Sequence, residues 1–166
     1  MNREDMTLFY SEKQNNGYLS NWYVCDFEVD GIKYTSSEQY MMHQKALIFH
    51  DIVIADKILE QKATDLKKIK DLGRKVKGFD SKVWDAHKRQ VMFDGLYAKF
   101  SQNADLKELL LSTGDTIIVE CSPWDKIWGI GMRKSDERCY DPDQWEGQNL
   151  LGFALMDVRS ALKATE

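Results

Sequence analysis

The sequence predicts an α+β protein: a compact, mostly helical single domain, residues 1–166, around a small β-sheet. Long segments between residues 37 and 114 repeat apolar residues with the period of an α-helix. Shorter segments before residue 35 and near residue 118 are rich in β-branched and aromatic residues, which favour strands. The chain of 166 residues fits one domain and shows no linker or internal repeat.

The N-terminal third is predicted to form strands and a hairpin. Thr7–Tyr10 is a short apolar run, and Trp22–Val29 alternates imperfectly between apolar and polar residues. Asp30-Gly31 favours a turn, and Ile32–Tyr34 would form the returning strand. Near the other end of the chain, the β-branched segment Thr116–Cys121 predicts a further strand.

Helices are predicted for most of the remaining chain. Thr35-Ser36-Ser37 before Glu38-Gln39 is a capping-box pattern with two possible registers, and it opens the first helix. The predicted helices are about Ser37–Phe49, Ile52–Gln61 behind Asp51, Asp65 to a stop at Gly73, Lys82–Phe100, a fifth capped by Asn103 and ending near Gly114, and Asn149–Lys163.

Composition excludes several classes of protein. Apolar residues make up 43% and charged residues 30%, which is typical of a soluble globular protein rather than a disordered one. The net charge of −4 argues against a general electrostatic affinity for nucleic acid and leaves open a local basic patch. No apolar run approaches the ~18 residues of a membrane span, and MNREDMTLFY lacks the layout of a signal peptide, so no membrane partner is expected.

The cysteines and histidines predict no metal site and no cofactor. Cys25, Cys121 and Cys139 are odd in number and widely spaced, so a disulfide framework is not expected and a cytoplasmic location is. No two histidines stand at the spacing that would place both on one helix face. The phosphate-loop and hydrolase-elbow motifs are also absent from the sequence.

Ser122–Gly131, SPWDKIWGIG, is the most unusual segment of the chain. The indoles of Trp124 and Trp128 offer flat faces on which a ring can stack. Gly129 would allow a ligand to approach the backbone, and Asp125 among these rings is suited to proton transfer. The alternative is an aromatic packing loop that follows the strand.

Glu38 and Lys45 form the second candidate group. They lie about 20° apart around the axis of the first helix, amid apolar residues. Helical side chains lean toward the N-terminus, so Lys45 would point toward Glu38. Two buried charges are costly unless they are paired or used. The pair is therefore either an acid–base pair at a pocket or a structural ion pair.

Three further segments offer binding groups. The polar residues of Ser20-Asn21-Trp22 could contact sugar hydroxyls or simply form a turn. Gly147–Gly152 could bind an anion at free helix amides, or Asn149 could act as an ordinary helix cap. Arg74 could clamp a phosphate or only complement the end of its helix.

In this order, the motifs of the chain resemble those of the NADAR family. The matching segments are Tyr18–Tyr23 (YLSNWY), Ser36–Lys45 (SSEQYMMHQK), Lys99–Phe100, Thr113-Gly114, Ile118–Gly131 (IVECSPWDKIWGIG) and Trp145–Arg159 (WEGQNLLGFALMDVR). The resemblance extends over about Phe9–Arg159 and implies the same mostly helical α+β domain. Two departures are Val24, where members often have proline, and a longer polar segment, residues 132–146, with Arg133, Lys134 and Arg138.

The resemblance implies cleavage of an N-glycosidic bond between ribose C1 and a nitrogen. Family members act on a ribosylamino-pyrimidine phosphate of the riboflavin pathway or remove ADP-ribose from guanine. The expected partner is therefore a ribosyl nucleotide or ADP-ribosylated guanine in nucleic acid. The implied site residues are Asn21, Glu38, Lys45, Glu120, Trp124, Asp125, Trp128, Gly129 and Asn149.

The expected chemistry assigns a role to each catalytic group. Glu38 would stabilise the positive charge that develops on the sugar and deprotonate water, and Asp125 would protonate the leaving base. Trp124 or Trp128 would stack on that base. Lys45 would either tune Glu38 or attack C1 and form a Schiff base. The competing hypothesis is a non-catalytic module that binds ADP-ribose or an NAD-related nucleotide.

Overall fold

The computed structural model describes residues 2–166 and confirms the α+β class. Its helices are α1 (Ser37–Ile48), α2 (Ile52–Glu60), α3 (Leu66–Arg74), α4 (Ser81–Gln102), α5 (Ala104–Ser112) and α6 (Leu150–Lys163). Its strands are β1 (Met6–Phe9), β2 (Phe27–Val29), β3 (Ile32–Tyr34) and β4 (Ile117–Glu120). None of the helices in these residues has both the length and the apolar character that crossing a membrane requires.

The chain packs as two units. Residues up to Ser20 together with Ala104–Glu166 form the first unit, and Asn21–Asn103 form the second. The strands accordingly make two separate two-stranded sheets, β1 with β4 and β2 with β3, where one small sheet was expected. The single domain over residues 1–166 stays a prediction.

In the first unit, a parallel strand pair supports the last helix. β1 pairs with β4 so that Met6 lies opposite Ile117. Ile118 and Val119 of β4 are fully buried. Helix α6 lies so close to β4 that a Cβ on Gly152 would be 2.1 Å from the carbonyl oxygen of Ile118. This contact fixes the start of α6 beside the end of β4.

In the second unit, α1 packs against α2, α3 and α4. Two glycines permit the close approach of its neighbours: a Cβ on Gly73 would lie 2.0 Å from Met42 Sδ, and one on Gly95 would lie 2.4 Å from a ring carbon of Tyr40. The polar side chains of Ser37, Glu38, Gln39 and His43 are buried together with the apolar ones. Each of these polar groups therefore needs a partner.

The predicted hairpin is confirmed. β2 and β3 are antiparallel, and the turn between them is made by Asp30 and Gly31, whose φ angles are 53° and 79°. Such angles are typical of the hairpin turn that this dipeptide favours. Only Phe27–Val29 of the imperfectly alternating segment Trp22–Val29 forms a strand.

The helix boundaries agree with the predictions to within two residues, and one detail is wrong. Gly73 lies inside the last turn of α3 rather than ending the helix, because its missing side chain makes room for Met42. Asn103 closes the end of α4, because its Nδ2 donates hydrogen bonds to the carbonyl oxygens of Lys99 (2.8 Å) and Asp26 (3.0 Å). A cap of α5 by Asn103 stays a prediction.

Candidate active site

The first turn of α1 is held by a hydrogen-bonded cap. Ser36 Oγ accepts a bond from the amide of Gln39 (3.1 Å), and Gln39 Oε1 accepts one from the amide of Thr35 (2.9 Å). This settles the register of the capping pattern, because the residue paired with the cap is Gln39 and not Glu38. Glu38, one position before Gln39, therefore does not complete the cap.

Asn21 fastens this turn from outside the helix. Its carbonyl oxygen accepts a bond from the Glu38 amide (3.0 Å), and its Oδ1 accepts one from Ser37 Oγ (2.9 Å). The side chain is 8% exposed. Because both bonds use oxygens of Asn21, its Nδ2 donor is not consumed by them. Asn21 thus positions Glu38, and half-buried Trp22 follows it directly.

Glu38 and Lys45 are close enough to interact electrostatically. Glu38 is only 5% exposed, whereas Lys45 is half-buried. Burial lowers the pKa of Lys45, the positive charge of Arg74 lowers it further, and the Glu38 carboxylate opposes both effects less strongly. Burial and Arg74 together therefore favour a neutral amine at Lys45.

Two aromatic rings surround the amine of Lys45. Its Nζ lies 4.7 Å from the ring centroid of Phe79 and 5.9 Å from that of Trp84. Trp84 lies in the predicted helix Lys82–Phe100, and Phe79 lies between predicted helices, so neither position predicts a contact with Lys45. The contact depends on how α4 begins beside α1, which no local pattern indicates. Phe79 is 47% exposed, so one side of the amine is covered by a ring at the surface.

Arg74 lies at the end of α3, where Gly73 contacts α1. Its guanidinium is largely exposed, and its Nη1 lies 3.8 Å from Asp71 Oδ1. Its effect on the Lys45 pKa places it within electrostatic range of that amine. Asn21, Glu38, Lys45 and Arg74 thus form one group within the second unit.

Lys99, in one of the segments of the resemblance, is a second lysine with an altered environment. It is fully buried, and its Nζ lies 5.0 Å from the ring centroid of Phe100 and 5.5 Å from that of Tyr23. Burial lowers its pKa to about 8. Because a fully enclosed amine has no path to a ligand, Lys45 is the better candidate for chemistry.

The segment Ser122–Gly131, here called the aromatic loop, is a built turn in the first unit. Ser122 Oγ accepts bonds from the amides of Trp124 (3.3 Å) and Asp125 (3.2 Å). Asp125 Oδ1 in turn accepts bonds from the amides of Ile127 (2.9 Å) and Trp128 (2.8 Å). Asp125 therefore closes the loop, and only its Oδ2 is left for the proton donation expected of it.

The aromatic loop also binds the N-terminus of α6. Four consecutive amides, residues 148–151, donate to the carbonyl oxygens of residues 126–129 at 2.8 to 3.2 Å. Helix amides bind anions only when they are free. An anion site at these amides, one of the two interpretations of Gly147–Gly152, is therefore wrong.

Asn149 joins the aromatic loop to β4 and is fully buried. Its Nδ2 donates to the carbonyl oxygen of Ile118, and its Oδ1 accepts from the amide of Glu120, both at 3.0 Å. It stands at the N-cap position of α6, as the alternative interpretation predicts, but its side chain makes no cap bond to the helix. Both polar atoms of the side chain thus bond to β4 and fix the position of Asn149, and its contact with substrate stays a prediction.

The remaining predicted site residues differ in how exposed they are to solvent. Trp124 is 79% exposed, and Trp128 is half-buried. A Cβ on Gly129 would lie 2.9 Å from the carbonyl oxygen of Asp125 and 3.1 Å from that of Glu120, so the packing of the loop itself requires this glycine. Glu120 is half-buried at the end of β4, and Ser20 is buried in the turn after Gly17.

The buried histidine of α1 is a structural residue. His43 Nδ1 and the hydroxyl of Tyr34 share a hydrogen bond of 2.8 Å. Burial lowers the pKa of His43, which favours the neutral ring that this bond uses. Across residues 2–166, no three His, Cys, Asp or Glu side chains are grouped as a metal site would require.

The chain is similar to known proteins in both sequence and structure. The NADAR domain model matches residues 8–163. The chain is 40% identical to N-glycosidase R617 of Acanthamoeba polyphaga mimivirus, over 96% of this chain and 97% of R617. It is 34% identical to riboflavin biosynthesis protein VVA0006 of Vibrio vulnificus strain YJ016, over 96% of this chain and 39% of that protein. The NMR structure of the E. coli protein YbiA is similar with a TM-score of 0.80 and 30% identity, over 99% of this chain and 89% of YbiA.

The charges around Lys45 predict opposite effects of two substitutions. Arg74→Gln removes a positive charge and should raise the pKa of Lys45, whereas Glu38→Gln removes a negative charge and should lower it. NMR titration of 13C-labelled lysine measures both shifts. Lys75→Gln, the same charge change at the neighbouring exposed position, is the control and should have a smaller effect than Arg74→Gln. Shifts of the same sign in the two test variants would contradict this electrostatic account.

Asn149→Ala should destabilise the protein by about 2–5 kcal/mol, because the buried amide of Glu120 and carbonyl of Ile118 lose their partners. Urea unfolding measures the change. Gln148→Ala removes an exposed amide side chain one residue earlier and should change the free energy of unfolding by less than about 0.5 kcal/mol. Equal unfolding midpoints for the two variants would show that the bonds of Asn149 to β4 contribute nothing measurable.

Proposed function

This chain belongs to the NADAR family, and on that basis we propose that it is an N-glycosidase. Its substrate is a ribosyl compound in which C1 is bonded to a base or amino-pyrimidine nitrogen. One observation carries the proposal: a buried carboxylate, Glu38, and a lysine with a lowered pKa, Lys45, interact on one helix face. The name of R617, an N-glycosidase similar over nearly its whole length, supports the same reaction class.

Cleavage of the C1–N bond leaves an electron pair on nitrogen and positive charge on the sugar, so the reaction needs an anion near C1 and a proton for the leaving group. We assign the anion to Glu38, which α1 and Asn21 hold in one position. A carboxylate there stabilises the developing charge. It then takes a proton from the attacking water, whose oxygen bonds to C1, and the leaving nitrogen takes up a proton from solvent.

The lowered pKa of Lys45 supports the covalent version of this reaction. A neutral amine attacks C1, the bond from C1 to the leaving nitrogen breaks, and that nitrogen takes up the proton that the attacking amine loses as the base departs. The ring bond from C1 to O4′ then breaks, O4′ takes up the second proton of the amine, and C1 and the nitrogen of Lys45 form an imine. Water hydrolyses this imine to release the sugar and regenerate Lys45. An amine whose pKa is lowered by burial and by Arg74 gives up its proton more readily, which is suited to the first step.

The substrate class follows from the charge next to Lys45. The exposed guanidinium of Arg74 is suited to a phosphate, which both the ribosyl-phosphate and the ADP-ribosyl compounds carry. Within the aromatic loop, Asp125 acts as a positioning residue, since its Oδ1 holds the Trp128 amide. The name of VVA0006 supports the ribosylamino-pyrimidine phosphate as one substrate to test.

Glu38→Gln should lower the rate of hydrolysis by about 10²- to 10⁴-fold, because it removes the anion and the proton acceptor together. Chromatography of the released base measures the rate, with the ribosylamino-pyrimidine phosphate and ADP-ribosylated guanosine assayed side by side. Glu60→Gln makes the same chemical change at an exposed residue of α2 and should retain the wild-type rate. Unchanged turnover in a folded Glu38→Gln variant would remove Glu38 from the chemistry. Binding of both compounds by the wild type without release of base would instead support the binding module.

Borohydride should trap the imine on Lys45 during turnover. Reduction converts it to a stable secondary amine, which peptide mass spectrometry locates as an added sugar mass. Lys45→Met should give no adduct, and borohydride without substrate should leave the wild-type protein unmodified. An active enzyme that repeatedly gives no adduct would assign Lys45 to tuning Glu38 rather than to attack on C1.

A further inference from the structure

Phe79 separates the amine of Lys45 from solvent on one side. Of the two rings beside that amine, Trp84 is 9% exposed, whereas Phe79 is 47% exposed. Phe79 is also the nearer ring, with its centroid 4.7 Å from Lys45 Nζ, against 5.9 Å for Trp84. Trp84 thus forms the inner wall around the amine, and Phe79 forms the outer wall.

The short loop between α3 and α4 carries Phe79 and is held on both sides of it. Before Phe79, the amide of Lys77 donates a hydrogen bond to Asp51 Oδ2 at 2.9 Å. After Phe79, Asp80 Oδ1 accepts a bond from the amide of Lys82 at 2.8 Å, which caps the first turn of α4. The backbone on either side of Phe79 is therefore fixed.

The ring of Phe79 also has a neighbour that keeps it in place. It packs against Phe49, with ring centroids 5.3 Å apart and planes inclined by 59°. Aromatic pairs at this separation are favourable. Phe49 is half-buried at the end of α1 and follows Lys45 by four residues, so the two residues lie on one helix face. Phe79 is thus kept over Lys45 although nearly half of the residue is in solvent.

Charged groups lie on each element around Lys45. They are Glu38 of α1, Asp56 of α2, Arg74 of α3, Lys88 of α4, and Asp51 and Asp80 beside Phe79. The charges that act on the amine of Lys45 are those of Arg74 and Glu38, whereas Asp56 acts on His43. Burial nevertheless contributes most to the lowered pKa of Lys45. Since Phe79 has no charge, it acts on the amine by excluding water or through the face of its ring.

We propose that Phe79 is a positioning residue for the attack on C1: its ring keeps water from the Lys45 amine on the side that faces solvent, and so keeps the amine in a form that can attack. This inference rests on the proposed function, in which Lys45 is the attacking group. Water stabilises the charged form of an amine, so its exclusion lowers the pKa. A ring face attracts the charged form and would raise the pKa. Because the two effects have opposite signs, one measurement distinguishes them.

NMR titration of 13C-labelled lysine tests the inference without substrate, and Lys45→Met identifies the Lys45 signal by its loss. Phe79→Ala and Phe79→Gln should each raise the pKa of Lys45 by about 0.5 to 1, because both admit water to the amine. Phe79→Leu should raise it less, because an apolar side chain of similar reach still excludes water. Phe153→Ala removes a similarly exposed ring from α6 and should leave the pKa unchanged.

Hydrolysis should respond in kcat and in its dependence on pH. The neutral amine is the attacking form, and a pKa raised by 0.5 to 1 lowers its fraction about 3- to 10-fold at any pH well below the pKa. Phe79→Ala should therefore lower kcat by about that factor near neutral pH, and the loss should disappear above the pKa values of both proteins. A raised KM with an unchanged pH profile would make Phe79 a substrate contact and overturn the inference.

Two outcomes of the titration would also overturn it. A lower pKa of Lys45 in both Phe79→Ala and Phe79→Leu would show that the ring face stabilises the charged amine. An unchanged pKa in Phe79→Gln, with urea unfolding as the check that this variant is folded, would show that the ring does not exclude water. The expected pKa values in a protein that hydrolyses neither ribosyl compound refute only the N-glycosidase. Hydrolysis with a Lys45 pKa that does not respond to Phe79 refutes only the role of this ring.

Discussion

The hydrogen-bonded first turn of α1 is the constraint on which the candidate chemistry depends. Ser36 and Gln39 form the cap, and Asn21 adds hydrogen bonds to Ser37 and Glu38. These bonds satisfy polar groups that would otherwise be buried without partners. The residue that completes the cap is Gln39 and not Glu38. The bond from the Glu38 amide to the carbonyl oxygen of Asn21 fixes the backbone of Glu38.

The aromatic loop is likewise held by hydrogen bonds that satisfy backbone polar groups, although the donors and acceptors differ. Its carbonyl oxygens take the first amides of α6, and the carboxylate of Asp125 takes amides within the loop. Asn149 extends this network to β4, where its side chain bonds a backbone amide and a carbonyl as a neighbouring strand would. Two tryptophans thus project from a backbone that is almost entirely bonded, and one of them remains in solvent.

The helices, the hairpin and the group on α1 could be predicted from the sequence because each depends on residues a few positions apart. The 3.6-residue period gave the boundaries of α1 and α4, and Asp30-Gly31 gave the turn. The same period placed Lys45 over Glu38, which agrees with their electrostatic interaction.

The roles of Asn149 and Phe79 could not be predicted in this way. Asn149 is bonded to β4 across 31 and 29 residues of sequence, so its position before a helix suggested only local roles. Phe79 contacts Lys45 because α4 begins beside α1, and the sequence around neither residue indicates this contact. Long-range contacts of this kind leave no periodic trace in a single sequence.

The parallel pairing of β1 with β4 has a consequence for synthesis on the ribosome. Thr7 and Thr116 share a hydrogen bond of 2.7 Å across 109 residues of chain, so the first strand has no partner until most of the polypeptide has been made. The second unit, Asn21–Asn103, is continuous and is complete before β4 emerges. A nascent chain therefore carries β1 without its partner strand for most of translation. Because β1 has only four residues, the risk of aggregation during that interval is limited.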